Sequence, residues 1–403
     1  AGVDLKFVDR ATDRRVYLGK DVTNALGQYS VRVPPGSYDI DYRPAATSIF
    51  GDKLRLNLVV GASDISGLSD ALLGGLVVSG DARDKVTNNK LKNVDIDVFN
   101  LCTGARVPTA HDNTDVNGNY SVVVPAGTYL FECNPPGCKG LETTRQSGVS
   151  ISADRNLGTE NMKAAVLVSG IVHEHAGGAV ARAKLKFYDA TVLGTPRQAA
   201  TNDRTDLLGA FGILVPAGTY DVDIEPPLGS GELVTHLSAV VVAGAIDLGT
   251  ITLVQGIAAS GHIQGPGAVP VLNVNINLVE SVTRAKVHLS HDDTDSLGNF
   301  TVIIPPGTYD FQYDPPACSG FAPASQANQS IVATTTMPTV NLVTGVHILG
   351  NVTDSGLAPV ANVDLDVYPA GSTTKIYTPR DQTALDGTYD VLIAPGTYDI
   401  KYV

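Results

Sequence analysis

The sequence predicts an all-β protein, a linear array of about five seven-stranded Greek-key β-sandwich domains with the first and last incomplete. Three observations carry that prediction. A stretch of the form Asp-x-Thr, Gly, aromatic, apolar run, Pro/Ala-Pro/Ala-Gly-Ser/Thr-Tyr occurs five times, and residues 292–309 (DDTDSLGNFTVIIPPGTY) are one copy. Its second glycine stands at Gly36, Gly127, Gly218, Gly307 and Gly396, so the copies recur after 91, 91, 89 and 89 residues. Self-similarity at a near-fixed period marks a repeat array. Apolar and polar residues alternate, as in half-buried strands, and no helical periodicity interrupts them.

The elements follow in order within each copy. The first glycine (Gly27, Gly118, Gly209, Gly298, Gly387) is a turn residue where φ is expected to be positive. After it, Tyr29, Val31 and Val33 face one way, as do Tyr120, Val122, Val124 and their counterparts in the later copies. The Pro-x-Gly turn stops this strand, because proline donates nothing to a ladder. A second strand of the same parity follows, with Tyr129, Phe131 and Cys133 inward in the second copy. Together the two read as a hairpin laid on a core. Upstream lies a strand typified by Val94, Ile96 and Val98, and before it an additional strand around Gly80, Gly170, Gly261 and Gly350.

The first copy lacks that additional strand, and the fifth stops at Val403 before two apolar runs that the others possess. The units are placed at 1–74, 75–164, 165–255, 256–344 and 345–403. Their junctions are short and carry no Gly/Ser-rich linker. A stiff, extended rod is expected, each unit spanning about 30–40 Å.

Composition narrows the function. A net charge of −13 without a basic cluster disfavours nucleic acid and anionic membrane surfaces. The most apolar region, 237–254, contains Asp247 and alternates like strands, so no membrane insertion is expected within this segment. The N-terminal residues have no signal-peptide anatomy, so an export signal would be removed or lie outside this chain.

The pattern SG-x-V, V-x-L, D-x-T-D-x-x-G-x-[YF], P-[AP]-G-[ST]-Y resembles the carboxypeptidase regulatory-like family, which belongs with the transthyretin-like and Cna-B-like sandwiches. The second unit carries it in VSGDA, VDIDVFN and DNTDVNGNYSVVVPAGTY. The resemblance covers essentially the whole chain and implies Ig-like, non-catalytic modules of the kind appended to enzymes, adhesins, pilus subunits and surface stalks.

Candidate sites are few. The Asp-x-Thr-Asp loops offer Asp112 and Asp115, Asp203 and Asp206, and Asp292 and Asp295 as calcium ligands. Calcium takes six to eight oxygens, so backbone and water would have to complete each shell. The alternative is that these side chains bond nearby backbone amides and fix the turn. No other cofactor is expected. His173 and His175, two apart on one strand face, and His288 with His291 are candidate transition-metal ligands, against the plainer reading of a solvated face.

Among four cysteines, Cys102, Cys133 and Cys138 share the second unit. One disulfide is expected there, Cys102 with Cys133 or Cys138, which would suit an oxidising compartment, against the alternative of unpaired small apolar residues. Cys318 would be free or pair between chains. Sequons occur at Asn119, Asn299, Asn328 and Asn351.

No nucleophile, base and oxyanion constellation is visible, so an enzyme is not expected. The reading is a non-catalytic structural protein of the cell exterior, a rod or filament subunit that self-associates head to tail by strand addition at its incomplete ends. Trimming from a longer array is the plain alternative for those ends. The other reading is an adhesin or polysaccharide binder that contacts surface proteins or glycans through its inter-strand loops.

Overall fold

The computed structural model describes residues 1–10, 14–191, 197–198, 200 and 203–403. Among them regular structure consists of strands and short 3-10 turns, with no α-helix. No helix of the described residues is long and apolar enough to cross a membrane.

Unit two shows the complete plan. One sheet has the order Arg155–Met162, Leu76–Asp84, Asn119–Val124; the other runs Thr144–Ile151, Gly127–Asn134, Asp95–Asn100, Arg106–Val107. Leu76–Asp84, here the opening strand, lies antiparallel to Asn119–Val124 and parallel to the closing strand Arg155–Met162. Inward residues of both sheets meet in one core that buries Val78, Tyr120, Val122, Val124, Tyr129 and Phe131. The alternation read from the sequence is therefore the core pattern. Unit three repeats the plan with Val166–His173 between Ala210–Val215 and Ile246–Thr252. In unit four the closing strand is reduced to Thr335–Thr336 and Val340–Asn341, both parallel to Ile257–Gly265.

The motif strands do not form the expected hairpin. Asn119–Val124 pairs with the opening strand, whereas Gly127–Asn134 pairs with Asp95–Asn100 in the opposite sheet. The Pro-x-Gly turn therefore carries the chain from one sheet to the other. A tyrosine corner holds the crossing: the Tyr129 hydroxyl donates to the Pro125 carbonyl at 2.8 Å. The ring lies across Gly127, where a Cβ would sit 2.9 Å from the hydroxyl oxygen. Tyr38, Tyr220, Tyr309 and Tyr398 make the same bond to Pro34, Pro216, Pro305 and Ala394.

The opening glycines have an equally direct cause. Gly80, Gly170, Gly261 and Gly350 stand opposite Tyr120, Phe211, Phe300 and Tyr389 in the antiparallel ladder. Each ring folds over its glycine, and a Cβ at Gly80 would lie 2.5 Å from the Tyr120 hydroxyl.

Among the described residues unit one has a single sheet, in the order Arg14–Val16, Asp4–Asp9, Gly36–Arg43, Lys53–Val60. Residues 29–33, expected as a strand, are in no ladder. Their partner in the complete units is the opening strand, and no described residue takes its place here. Tyr29, Val31 and Val33 still pack, half-buried, against Leu5, Phe7 and Ile40. Unit five keeps two strand pairs, Val346–Asn351 with Thr388–Ile393 and Leu365–Pro369 with Tyr398–Tyr402.

Every junction is clasped by backbone pairing between the linker and the loop that follows the corner strand. The bridges are Phe50 with Gly74, Leu141 with Ala164, Glu232 with Gln255, and Phe321 with Thr344. These joints account for the lack of linker composition.

The array is nevertheless not straight. Cys102 of unit two is disulfide-bonded to Cys318 of unit four, with Cα atoms 5.6 Å apart, and the Asn273 amide meets the Thr103 carbonyl beside it. Successive units are therefore offset enough for the second and fourth to touch, which corrects the expected extended rod.

Candidate functional site

The Asp-x-Thr-Asp loop is built first from its threonine. Thr114 is buried; its hydroxyl donates to the Leu91 carbonyl at 2.6 Å and accepts from the Val94 amide at 2.9 Å. Thr205, Thr294 and Thr383 tie the corresponding backbone groups in the same way. Val3 donates to Thr23 at 3.0 Å in unit one. The aspartate after that threonine closes the turn. Oδ1 of Asp115 accepts from the Asn117 and Asn119 amides, both at 2.8 Å. Asp206 and Asp295 accept from the amides two and four residues on in the same manner.

The first aspartates of the loops lie elsewhere. Asp112 accepts from the Thr109 hydroxyl at 2.9 Å, and Asp203 lies 3.9 Å from the Lys184 ammonium. Burial and the neighbouring Asp293 push Asp292 up to about 6. In each loop two amides hold one oxygen of the second aspartate, so a calcium ion would draw on its other oxygen together with backbone and water.

The cysteines depart from the expected pairing within unit two. Cys133 lies opposite Ile96, near the start of the Asp95–Asn100 strand, whereas Cys102 follows the end of that strand, roughly 20 Å along it. Cys133 points into the core as a free thiol that burial pushes up to about 12. Cys138 is free and exposed, and Cys102 is bonded to Cys318.

The histidines separate. His175 Nδ1 lies 2.6 Å from Glu232 Oε1, and His291 Nε2 lies 3.1 Å from the Pro226 carbonyl. His173 is not brought into a cluster with them, and His288 instead reaches Asp223 of unit three. All four sequon asparagines are exposed.

A cavity of about 960 Å³ in unit one is lined by Val3, Tyr29, Tyr42, Ile65, Asp70 and Leu72, among others. It lies between residues 29–33 and residues 64–72, neither of which forms a strand. In unit two the corresponding segments flank the opening strand on its two edges. The Tyr29 hydroxyl, with no glycine beneath its ring, lies 3.0 Å from that of Tyr42. Asp70 closes the far wall. Burial would raise its carboxyl, but hydrogen bonds from Arg55, Tyr42 and Lys53 hold it down at about 2.

Behind this cavity, at the junction of units one and two, sits a strained acid. Asp52 Oδ2 and Asp41 Oδ1 are buried with no hydrogen-bond partner. Burial and repulsion from Asp41 push Asp52 up to about 7, against the pull of Arg43. The folded state therefore holds a proton that the unfolded chain, with an ordinary pKa near 4, releases. This contribution to stability is fully present below the unfolded value and is lost as pH rises through about 7. Asp52→Asn is expected to melt with the parent at about pH 3.5, below the unfolded value, and above it at pH 8, as read by thermal denaturation. An unchanged difference between the two pH values contradicts the assignment.

The fold and these sites define a tandem array of small β-sandwich modules. No family model matches the chain, and no curated protein matches it either. Among solved structures it is similar to the Bacillus anthracis TIE protein, at 12% identity and TM-score 0.19, covering 84% of this chain and 65% of that one. A streptococcal ancillary pilin matches at 11% identity and TM-score 0.20, covering 67% of this chain and 98% of the pilin. BcpA, the major pilin subunit of Bacillus cereus, matches at 11% identity and TM-score 0.18, covering 67% and 99%. Similarity of this degree carries no argument about activity.

Proposed function

We propose that this chain is a non-catalytic structural subunit of an extracellular filament, joined to its neighbour by a strand inserted into unit one. The observation that supports the reading is the cavity in unit one between residues 29–33 and residues 64–72, whose counterparts in unit two pair with the two edges of the opening strand. An entering strand would run antiparallel to residues 29–33 and parallel to residues 64–72, completing the sheet as the opening strand does in unit two. It would need glycine opposite Tyr29 and alternating apolar residues around it. Strand addition of this kind draws affinity from main-chain hydrogen bonds and specificity from side-chain pockets. The Cys102–Cys318 disulfide supports an oxidising, extracellular setting. Head-to-tail self-association follows if the donor is another copy.

A peptide of residues 75–84 (GLVVSGDARD) tests the acceptor. It is expected to slow hydrogen exchange at residues 29–33, and the same peptide carrying Gly80→Leu is expected to leave exchange unchanged. Equal behaviour of the two peptides contradicts strand insertion. Electron microscopy and intact mass of the native material then identify the donor. Filaments built from chains near the mass of this sequence support donation by another copy; separate particles of much larger mass place the donor in the same polypeptide and defeat the assembly.

A further inference from the structure

The junction between units three and four carries a side-chain cluster that the strand-insertion reading does not use. Asp223, on the Gly218–Glu225 strand, stands directly opposite His236, on the Thr235–Val242 strand, in an antiparallel ladder. The Asp223 Oδ1 to His236 Nδ1 distance is 2.7 Å. From unit four, His288 brings its own Nδ1 to 3.0 Å from the same oxygen and 3.1 Å from Oδ2. The two imidazoles are stacked, with centroids 4.0 Å apart and planes 22° from parallel.

Two rings on different units thus aim the same nitrogen at one buried carboxylate. Asp223 is only 8% exposed, and burial would raise its carboxyl. The hydrogen bonds from His288 and His236 outweigh that burial and hold it below the usual range.

The corresponding positions of the other units are occupied differently. In unit two the cross-strand pair is Glu132 with Arg145, a closed ion pair. In unit four it is Gln312 with Ser325, and in unit one Asp41 with Leu54. A carboxylate with two imidazoles is a donor set of the type borderline divalent metals take, in tetrahedral geometry with bonds of about 2.0–2.1 Å. Ligands so bound lie roughly 3.3 Å apart. The three donor atoms here already lie within 4.8 Å of one another, and among the described residues this is the group of three metal-ligating side chains that comes together.

We propose that Asp223, His236 and His288 form a site for a divalent transition metal, zinc in the first instance, that clamps unit three to unit four. Nδ1 of each histidine and one Asp223 oxygen supply three ligands, and water completes the tetrahedron. Binding displaces the two ring protons that now point at the carboxylate, or selects the other tautomer of each ring. The ion would join side chains separated by up to 65 residues across a joint that backbone pairing and the contact of His291 with the Pro226 carbonyl also hold.

The test uses the full chain, stripped with a chelator, then titrated with Co²⁺ by absorption spectroscopy and with Zn²⁺ by calorimetry. One saturable site per chain is expected, with the visible absorption of tetrahedral cobalt displaced by zinc. His236→Ala and His288→Ala should each weaken binding at least tenfold while leaving the metal-free melting curve close to that of the parent. His288→Cys, which restores a ligand, should recover the cobalt spectrum with an added sulfur charge-transfer band. Absence of saturable binding overturns the proposal. So does binding that survives both alanine variants, which would place the ion elsewhere, for example at His173 and His175.

Discussion

Replacing Gly298 by alanine is expected to unfold the fourth unit under conditions where the parent is intact, while the same change at Gly27 leaves the first unit folded. Both glycines have positive φ, +74° and +76°. A left-handed alanine costs about 1–2 kcal/mol, so that term is common to both. The surroundings differ. A Cβ on Gly298 would press into the Ile263 carbonyl oxygen of the opening strand, and on Gly118 it would lie 2.8 Å from that of Ala82. At Gly27 nothing lies within 4 Å, because no described residue holds the opening-strand position that supplies the carbonyl in the other units. Displacing a ladder strand adds about 1–3 kcal/mol of the kind overpacking costs. A domain of this size has roughly 5–13 kcal/mol of stability in all. Hydrogen exchange resolved by peptide separates the outcomes: protection is lost through unit four in Gly298→Ala, and in Gly27→Ala exchange in unit one speeds by no more than the roughly 5–30-fold that 1–2 kcal/mol gives. Equal effects at the two positions would mean that the carbonyl contact is not what requires glycine.

Thr294→Val is expected to cost the same unit about 2–4 kcal/mol, and Thr294→Ser about 1 kcal/mol or less. Valine matches threonine in shape, so the packing of this 2%-exposed side chain is preserved. What disappears is the hydroxyl that satisfies the Val274 amide at 2.9 Å and the Val271 carbonyl at 2.6 Å. Both groups are then buried without a partner, and each carries its own desolvation penalty. Serine keeps both bonds and loses one methyl. Denaturant melts of the three chains, read through unit-four exchange, decide the matter. A serine variant as unstable as the valine one would show that the methyl, not the hydroxyl, holds the loop. Because these bonds are internal, the loss should be indifferent to added calcium or chelator.

These two cases also show where sequence reading succeeded and stopped. Alternation placed Tyr120, Val122, Tyr129 and Phe131 in the core, since a period of two specifies which face is buried. It does not specify the neighbouring strand, and so the Pro-x-Gly turn looked like a hairpin when it is a crossing between sheets. The glycine near the start of each complete unit was visible as a repeated residue, but its purpose needs the register that sets Gly80 against Tyr120. That no described residue of unit one forms an opening strand was legible because four other copies display one. Contacts between units were not. His288 reaches Asp223 across 65 residues, and Cys102 reaches Cys318 across 216, and no local pattern encodes either separation.

The order of strands has a mechanical consequence. In units two and three the opening and closing strands are adjacent and parallel, so tension entering at one end of a unit and leaving at the other pulls these two neighbours in opposite directions along their length. Their hydrogen bonds are loaded together, in shear, and cannot be peeled one at a time. In unit four that seam shrinks to two pairs of residues with each short strand, Ala259 and Ser260 with Thr335 and Thr336, then Ile263 and Gln264 with Val340 and Asn341. With the Cys102–Cys318 bond reduced, unit four yields before units two and three under a steady pull; intact, the bond closes residues 103–317 into a loop that carries no tension, unit three among them, and so limits how far the chain can lengthen.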